Sequence, residues 1–301
     1  MTKRAITAAI CTYGRTEGVE RAIRSVLNDP AVGQLIVVDQ NLDDRIVPLI
    51  AAVDPARTLH IRTDIKGAGR ARNIALNAAQ SEVVCFTDDD CEANLGWATT
   101  MTDEVLSDSR VGLVFSNVDE PDDGETGFTP SRVFDQPAQY LTWSRSPTPA
   151  QLGIGASYAI RVEAGRQIGG WDEAMGPGGH FPSADDVEIA YRLLLDGWAV
   201  RCTPSTAVLH LGRRSSGTEI RGLNKRDYRA LGAMYAKLTK ARPRPSAAAA
   251  FRFLLTTFRD SARDSRTLRR PAGFGRWVWL LVGFGQGLRM PVDRDRICFR
   301  R

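Results

Sequence analysis

Glu82-Val83-Val84-Cys85-Phe86-Thr87-Asp88-Asp89-Asp90 is the stretch on which the fold turns. A short apolar run without alternation, closed here by three carboxylates, reads as a strand buried on both faces, Glu82–Thr87. The same texture recurs at Ile6–Thr12, Gln34–Asp39, Thr58–Thr63 and Val111–Val118. Helical spacing fills the gaps. One helix is capped by Thr16 and runs through Asn28, with Val19, Ile23, Val26 and Leu27 on one face. Others span Asp44–Val53, Ala68–Ala79 and Leu95–Leu106. This alternation predicts a parallel sheet covered by helices on both faces, with ligands at the carboxyl ends of its strands. Asp39 and Asp88 to Asp90 then share one rim.

The alternation stops at Asp119–Leu152, a polar stretch carrying Pro121, Pro130, Pro137, Pro147 and Pro149. Loops of that length inside a domain are more often functional than not. A strand over Gly155–Arg161, a glycine-rich loop over Gly176–Ser183 and a helix over Asp185–Asp196 follow, then two short strands, Trp198–Thr203 and Thr206–Leu211. Beyond Gly217 the period is helical, at about 219–239, 246–264 and 274–289, with Pro243, Pro245 and Pro271 as breaks.

Composition bounds the class. The 301 residues are 43% hydrophobic and 25% charged, too apolar for a disordered chain, and 27 Gly without a three-residue period exclude collagen. The five scattered cysteines form no CxxC pair, which predicts free thiols in a reducing cytosol. The opening Met1-Thr2-Lys3-Arg4 lacks an apolar run of the secretory kind. Trp277–Gly285, the most apolar segment, is too short to span a bilayer, which takes roughly 20 residues. Net charge is +5 but uneven: residues 241–301 hold 14 Arg, no Lys and 4 Asp, a surplus of +10 that leaves −5 on the remainder. A basic tail on an acidic body points to an anionic partner.

Three adjacent carboxylates repel one another, and a divalent cation relieves that repulsion. A second acidic group, Ser183-Ala184-Asp185-Asp186-Val187-Glu188, opens a helix after the glycine-rich loop. First-turn acids also suit a helix dipole, and Glu188 with Arg192 has the spacing of a surface pair. One acid set for a metal and another for proton abstraction suits displacement at a phosphorylated carbon. Arg70 and Arg72, near a helix start at Gly67-Ala68-Gly69, suit a diphosphate, although the third glycine of a dinucleotide fingerprint is missing. Of three histidines, His60 sits inside a strand, His180 in the glycine-rich loop, and His210 at a strand end where an imidazole can join an acidic metal site.

In order, these segments resemble a family 2 glycosyltransferase over roughly residues 5–215. The matching segments begin with Ala9 to Arg15, Val37 to Asn41, Gly69-Arg70-Ala71-Arg72-Asn73 and Phe86 to Asp90, the last like the family's DxD motif. Gly169-Gly170-Trp171-Asp172-Glu173 and Ala184 to Glu188 complete the series. The resemblance implies an α/β GT-A fold, a Rossmann-like, mostly parallel sheet flanked by helices. Residues 1–216 form the catalytic domain, with 119–152 inserted on the acceptor side, and 217–301 an Arg-rich helical region. Thr12, Tyr13, Arg15, Asp39, Arg72, Asp88 and Asp89 then hold the nucleotide. Asp90 and His210 hold Mg²⁺ or Mn²⁺, Asp186 is the general base of an inverting transfer, and Trp171, Asp172 and Asp185 line the acceptor side. The donor is a nucleoside-diphosphate sugar and the acceptor a hydroxyl of a glycan or lipid-linked molecule, in the cytoplasm or peripheral on the inner face of the cell membrane. Gly14, Asp185 and Gln40-Asn41 depart from the usual motif residues.

In the tail, Arg252, Arg259, Arg263, Arg266, Arg269, Arg270 and Arg276 alternate with Phe and Trp. Residues 246–290 suit an anionic membrane surface and, equally, a helix pair packed on the catalytic domain or an oligomer interface. A sugar-phosphate nucleotidylyltransferase is the alternative enzyme, although Gly14 alone stands where a glycine-rich loop belongs. A nucleic-acid binder is opposed by the acidic body.

Overall fold

The computed structural model describes residues 5–123, 128–145, 147–213, 217–267 and 274–300. Strands β1 (Ile6–Thr12), β2 (Val32–Asp39), β3 (Thr58–Arg62) and β4 (Val83–Asp88) alternate with helices α1 (Val19–Leu27), α2 (Val47–Val53) and α3 (Ala68–Ala78). Next come β5 (Cys91–Ala93), α4 (Trp97–Leu106), β6 (Val111–Asp119), β7 (Gln139–Leu141), β8 (Ser157–Arg161), α5 (Val162–Gln167), α6 (Asp185–Leu195) and β9 (Ala199–His210). Helices α7 (Gly217–Ala241), α8 (Pro243–Thr267) and α9 (Phe274–Arg289) follow, then a short hairpin of β10 (Val292–Asp293) and β11 (Cys298–Phe299).

The sheet order is β3-β2-β1-β4-β8-β6-β9-β5, with β7 also on β9. The chain is therefore an α/β protein with a mostly parallel sheet. β8 enters antiparallel between β4 and β6, and β5 and β7 run antiparallel to β9. These antiparallel members fit the mostly parallel sheet expected; β8 follows an irregular segment that imposes no crossover direction, whereas a crossover helix would make neighbouring strands parallel.

Alternate residues of the strands feed two cores. Ala9, Ile36, Phe86 and Tyr158 face α3, α6 and α7, while Ile10, Val37, Cys85 and Ala159 face α1 and α4. Burial on both faces is the reason these strands are apolar throughout. Register aligns Thr12 with Asp39 and Cys11 with Asp88, so the strand ends form one rim.

Several sequence expectations shift. Thr16 does not cap α1; Gly18 does, at φ 87°, and a Cβ there would stand 3.3 Å from Asp89 O. The two strands foreseen over 198–211 are one strand, β9, with a register shift against β6 after Ser116. Pro243 and Pro245 open α8 instead of breaking it, since a first-turn residue needs no amide hydrogen. Pro271, Arg269 and Arg270 lie outside the described residues. The segment Asp119–Leu152 contributes β7 and, through Val118 and Arg132, a paired bridge.

The three long helices pack onto the sheet's helical layer. Ala230, Ala233, Met234, Tyr235 and Leu238 of α7 join the core that holds α6. α9 crosses α7 at backbone contact: any side chain at Gly283 would meet the Arg229 carbonyl. Among the described residues no helix is long and apolar enough to cross a membrane.

Candidate active site

The turn after β4 builds one wall. Thr12 Oγ1 donates to Asp89 Oδ2 at 2.7 Å; Arg15 pairs with Asp89 and, through Nη2, with Asp90 Oδ2 at 2.8 Å. β5 begins one residue after Asp90 and pairs with the end of β9, setting Cys91 opposite His210. Leu211 N donates to Asp90 O at 2.9 Å. Backbone pairing thus brings Asp90 Oδ1 within 3.5 Å of His210 Nε2. Burial raises the Asp90 pKa, but His210 and Arg15 outweigh it and hold the carboxyl below its usual range.

Asp90 Oδ1 and His210 Nδ1 are buried without a hydrogen-bond partner. Buried polar atoms of that kind are rare and call for a partner. Ligand atoms of Asp90, Cys91 and His210 lie within 4.8 Å of one another. Gly212 closes the same corner, where a side chain would collide with Asp90 Oδ2. A carboxylate and an imidazole at the edge of an open cleft fit a divalent ion that keeps positions for water and phosphate.

The opposite wall is the start of α6. Its N-terminal neighbour Ala184 is left-handed, at φ 63°. Arg72 of α3 pairs with Asp185, and its Nη2 lies 3.7 Å from Asp88 Oδ1, so one guanidinium faces both acid sets. Asp186 Oδ2 accepts from Gly155 N and Oδ1 from Val187 N, each at 2.8 Å. A Cβ on Gly155 would stand 3.2 Å from Arg72 Nη2 and 3.7 Å from Asp186 Oδ2, which sets Asp186 beside Arg72. Burial first, then the charge of Asp185, push the Asp186 pKa up to about 6 against the pull of the two N–H donors and Arg72.

A cleft of about 520 Å³ opens at the first wall. Thr12, Tyr13, Arg15, Arg72, Asp88, Asp89, Asp90 and His210 line it. It also takes in Gln40 and Gly178, which the sequence placed in a matching segment and in the glycine-rich loop without a role of their own, and Lys66, Gly212 and Arg213, which had been given none. Gln40 Nε2 donates to the carbonyls of Ile65 and Gly67, both at 3.1 Å, fixing the segment that carries Lys66. The Lys66 ammonium lies 4.5 Å from the Tyr13 ring centroid. Ala68 N donates to Pro177 O at 2.8 Å, so the glycine-rich loop docks on the start of α3. Gln40 and Gly212-Arg213 had a signal, since each directly follows a strand-end residue already singled out. Lys66, an isolated loop lysine, had none.

Five sequence assignments are not among the residues that line the cleft: Asp185 and Asp186, at the start of α6 behind Arg72, and Asp39, Trp171 and Asp172. Asp39 is fully buried: Oδ1 accepts from Asn41 N at 2.9 Å and Oδ2 lies 3.0 Å from His60 Nε2. It shapes the rim and does not line it. Trp171 is buried between Phe86 and Tyr158, with ring centroids 5.2 and 6.0 Å away. Asp172 lies in the interior, accepting from Lys237 Nζ at 2.5 Å and Phe299 N at 2.8 Å. Its pKa is raised by burial and lowered more by Lys237. Glu188 and Arg192, spaced like a surface pair, are 0% and 1% exposed and joined at 2.6 Å, with Lys237 on the same Glu188 oxygen at 2.5 Å. The sequence shows the spacing but not that α7 folds back over it.

Residues 7–168 match the family described as "Glycosyl transferase family 2". The chain is 25% identical over 237 residues to the probable N-acetylgalactosaminyltransferase 9 of Caenorhabditis elegans; the match covers 68% of this chain and 39% of that protein. It thus spans under half the length of such curated relatives. In fold it is similar to S. aureus TarS in complex with UDP-GlcNAc, at TM-score 0.67 and 15% identity, over 94% of this chain and 81% of that one. It is also similar to the mannosyltransferase PcManGT from Pyrobaculum calidifontis in complex with GDP-Man and Mn²⁺, at TM-score 0.61 and 16% identity, over 95% and 87% of the two chains.

Proposed function

The chain belongs to glycosyl transferase family 2, and from that premise we propose that it is a metal-dependent, inverting enzyme. It moves a sugar from a nucleoside-diphosphate donor to a hydroxyl of a glycan or lipid-linked acceptor. The observation that carries the metal-dependent reading is the pair of orphaned atoms, Asp90 Oδ1 and His210 Nδ1, beside a cleft rimmed by Arg15, Lys66 and Arg213. Among the similar structures, one holds GDP-Man with Mn²⁺ and one UDP-GlcNAc, which supports a nucleotide-sugar donor and, in the first, a divalent ion beside it.

Asp90 and His210 would hold the ion, Mg²⁺ or Mn²⁺. When bound, such an ion neutralises charge on the departing diphosphate. The chain's own residues do the rest. Thr12 and Arg15 fix Asp89 and Asp90 at the diphosphate end. Tyr13 and Lys66 offer a ring and a cation to the nucleotide. Arg72 balances Asp88 and Asp185 so that both acid sets stay close. Asp186 takes the acceptor proton; with a pKa of about 6 it is ionised at neutral pH yet basic enough to accept. Attack from the face opposite the diphosphate inverts the anomeric carbon. Residues 1–216 form the catalytic unit, 119–152 and the glycine-rich loop receive the acceptor, and 217–301 brace α6.

Thermal shift with UDP and GDP, with and without Mn²⁺, tests this. Stabilisation by a diphosphate that depends on Mn²⁺ is expected, lost in Asp90→Ala and kept in Asp186→Asn. If no nucleoside diphosphate shifts the melting temperature under either condition, the proposal fails. Donor turnover by Asp90→Ala is expected to fall by several orders of magnitude.

A further inference from the structure

The outer side of the C-terminal helices leaves apolar side chains in water. Fourteen large apolar residues are exposed among those described, and six lie on α8 and α9: Phe251, Phe258, Val278, Leu281, Val282 and Leu288. Scattered exposure is ordinary, but a cluster marks a contact surface. On α9 the positions 278, 281, 282 and 288 draw one stripe, opposite the buried Leu280, Gly283 and Gly287 that meet α7. On α8, Phe251 and Phe258 are seven residues apart and share a face. Arg252, Arg259 and Arg263, also exposed, form a parallel row one step round the helix. The Phe258 ring lies 5.3 Å from Trp277 and 6.0 Å from Phe274, which joins the α8 stripe to the start of α9.

We propose that this α8–α9 face lies on an anionic lipid bilayer. The argument is complementarity. Phe and Trp enter the headgroup–acyl boundary, while arginine stems run along it and their guanidiniums reach lipid phosphates. The tail's surplus of +10 against −5 on the remainder orients the molecule, with the basic end toward the surface. A nucleic acid satisfies the arginines and leaves the stripe in water. A symmetric second copy buries the stripe but sets arginine rows against each other. The inference stands apart from the transfer reaction, because none of these residues lines the cleft.

Co-sedimentation of the full chain with phosphatidylcholine vesicles, and with vesicles also containing phosphatidylglycerol, tests it at low salt. Binding to the anionic vesicles, weakened by salt, is expected. Exchanging Arg252, Arg259 and Arg263 for Gln lowers partitioning roughly 100-fold. The double change Leu281→Glu, Val282→Glu reduces it to the neutral-lipid level. Both variants keep the wild-type melting temperature and donor-nucleotide binding. Absence of binding at low salt, or unchanged binding by both variants, overturns the proposal. So does a dimer in sedimentation velocity that the Leu281/Val282 change dissociates, or tight binding of an oligonucleotide in place of vesicles.

Discussion

Asp186 has a carboxylate held by two backbone amides yet pushed up from 3.8 to about 6 by burial and by Asp185. The fold therefore favours its neutral form. The stability it contributes is fully present below pH 3.8 and is lost as pH rises through about 6. Activity runs the other way, because a base must be ionised: kcat/KM is expected to climb through about pH 6 and then level off. Asp186→Asn should lose about 10²- to 10⁴-fold in kcat, lose that acid limb, and melt without the wild type's loss of stability through about pH 6. A pH–rate series with thermal melts checks all three. Gly212→Ala is a separate residue-scale test. A methyl group there displaces the Asp90 carboxylate, so Mn²⁺ affinity by titration calorimetry or electron paramagnetic resonance should drop at least about tenfold with the fold intact. Arg15 Nη2 lies 2.8 Å from Asp90 Oδ2 and competes with a cation for that oxygen, so Arg15→Gln should tighten Mn²⁺ binding without nucleotide and weaken binding of the diphosphate. The acids of this site were legible because carboxylates at strand ends and helix starts have few structural uses. Asp172 was misread for the same reason: nothing near it in sequence reveals that Lys237 will arrive to neutralise it.

The elements divide by how local their causes are. β1, β2 and β4 could be read from their continuous apolar runs, and α3 and α6 from spacing and flanking glycines. The direction of β8 could not, because pairing partners are chosen by the whole sheet. The joining of two short segments into β9 also escaped, since Pro204 and the residues after it look like a turn until β6 absorbs them as a register shift. The largest hidden feature is the buried quartet of Asp172, Glu188, Arg192 and Lys237, two acids and two bases that tie α6 to α7 and, through Phe299, to β11. Lys237→Met leaves two enclosed carboxylates with one cation and should cost about 3–5 kcal/mol in urea unfolding, because an uncompensated buried charge is expensive. A loss under about 1 kcal/mol would mean that water reaches the cluster.

For the molecule as a whole, that quartet and the α7 residues in the sheet's core link the helices to the catalytic sheet. Calorimetry should record one cooperative transition, with no separate melt of 217–301. Gly283→Leu, which forces α9 off the Arg229 backbone, should lower that single midpoint and not split it. The pairing of β5 with the end of β9 has a consequence during synthesis. Asp90 leaves the ribosome some hundred and twenty residues before His210, and the two side chains meet only when the last strand of the sheet slots in. A nascent chain that stops short of β9 would therefore lack one of the two side chains on which the proposed ion site depends.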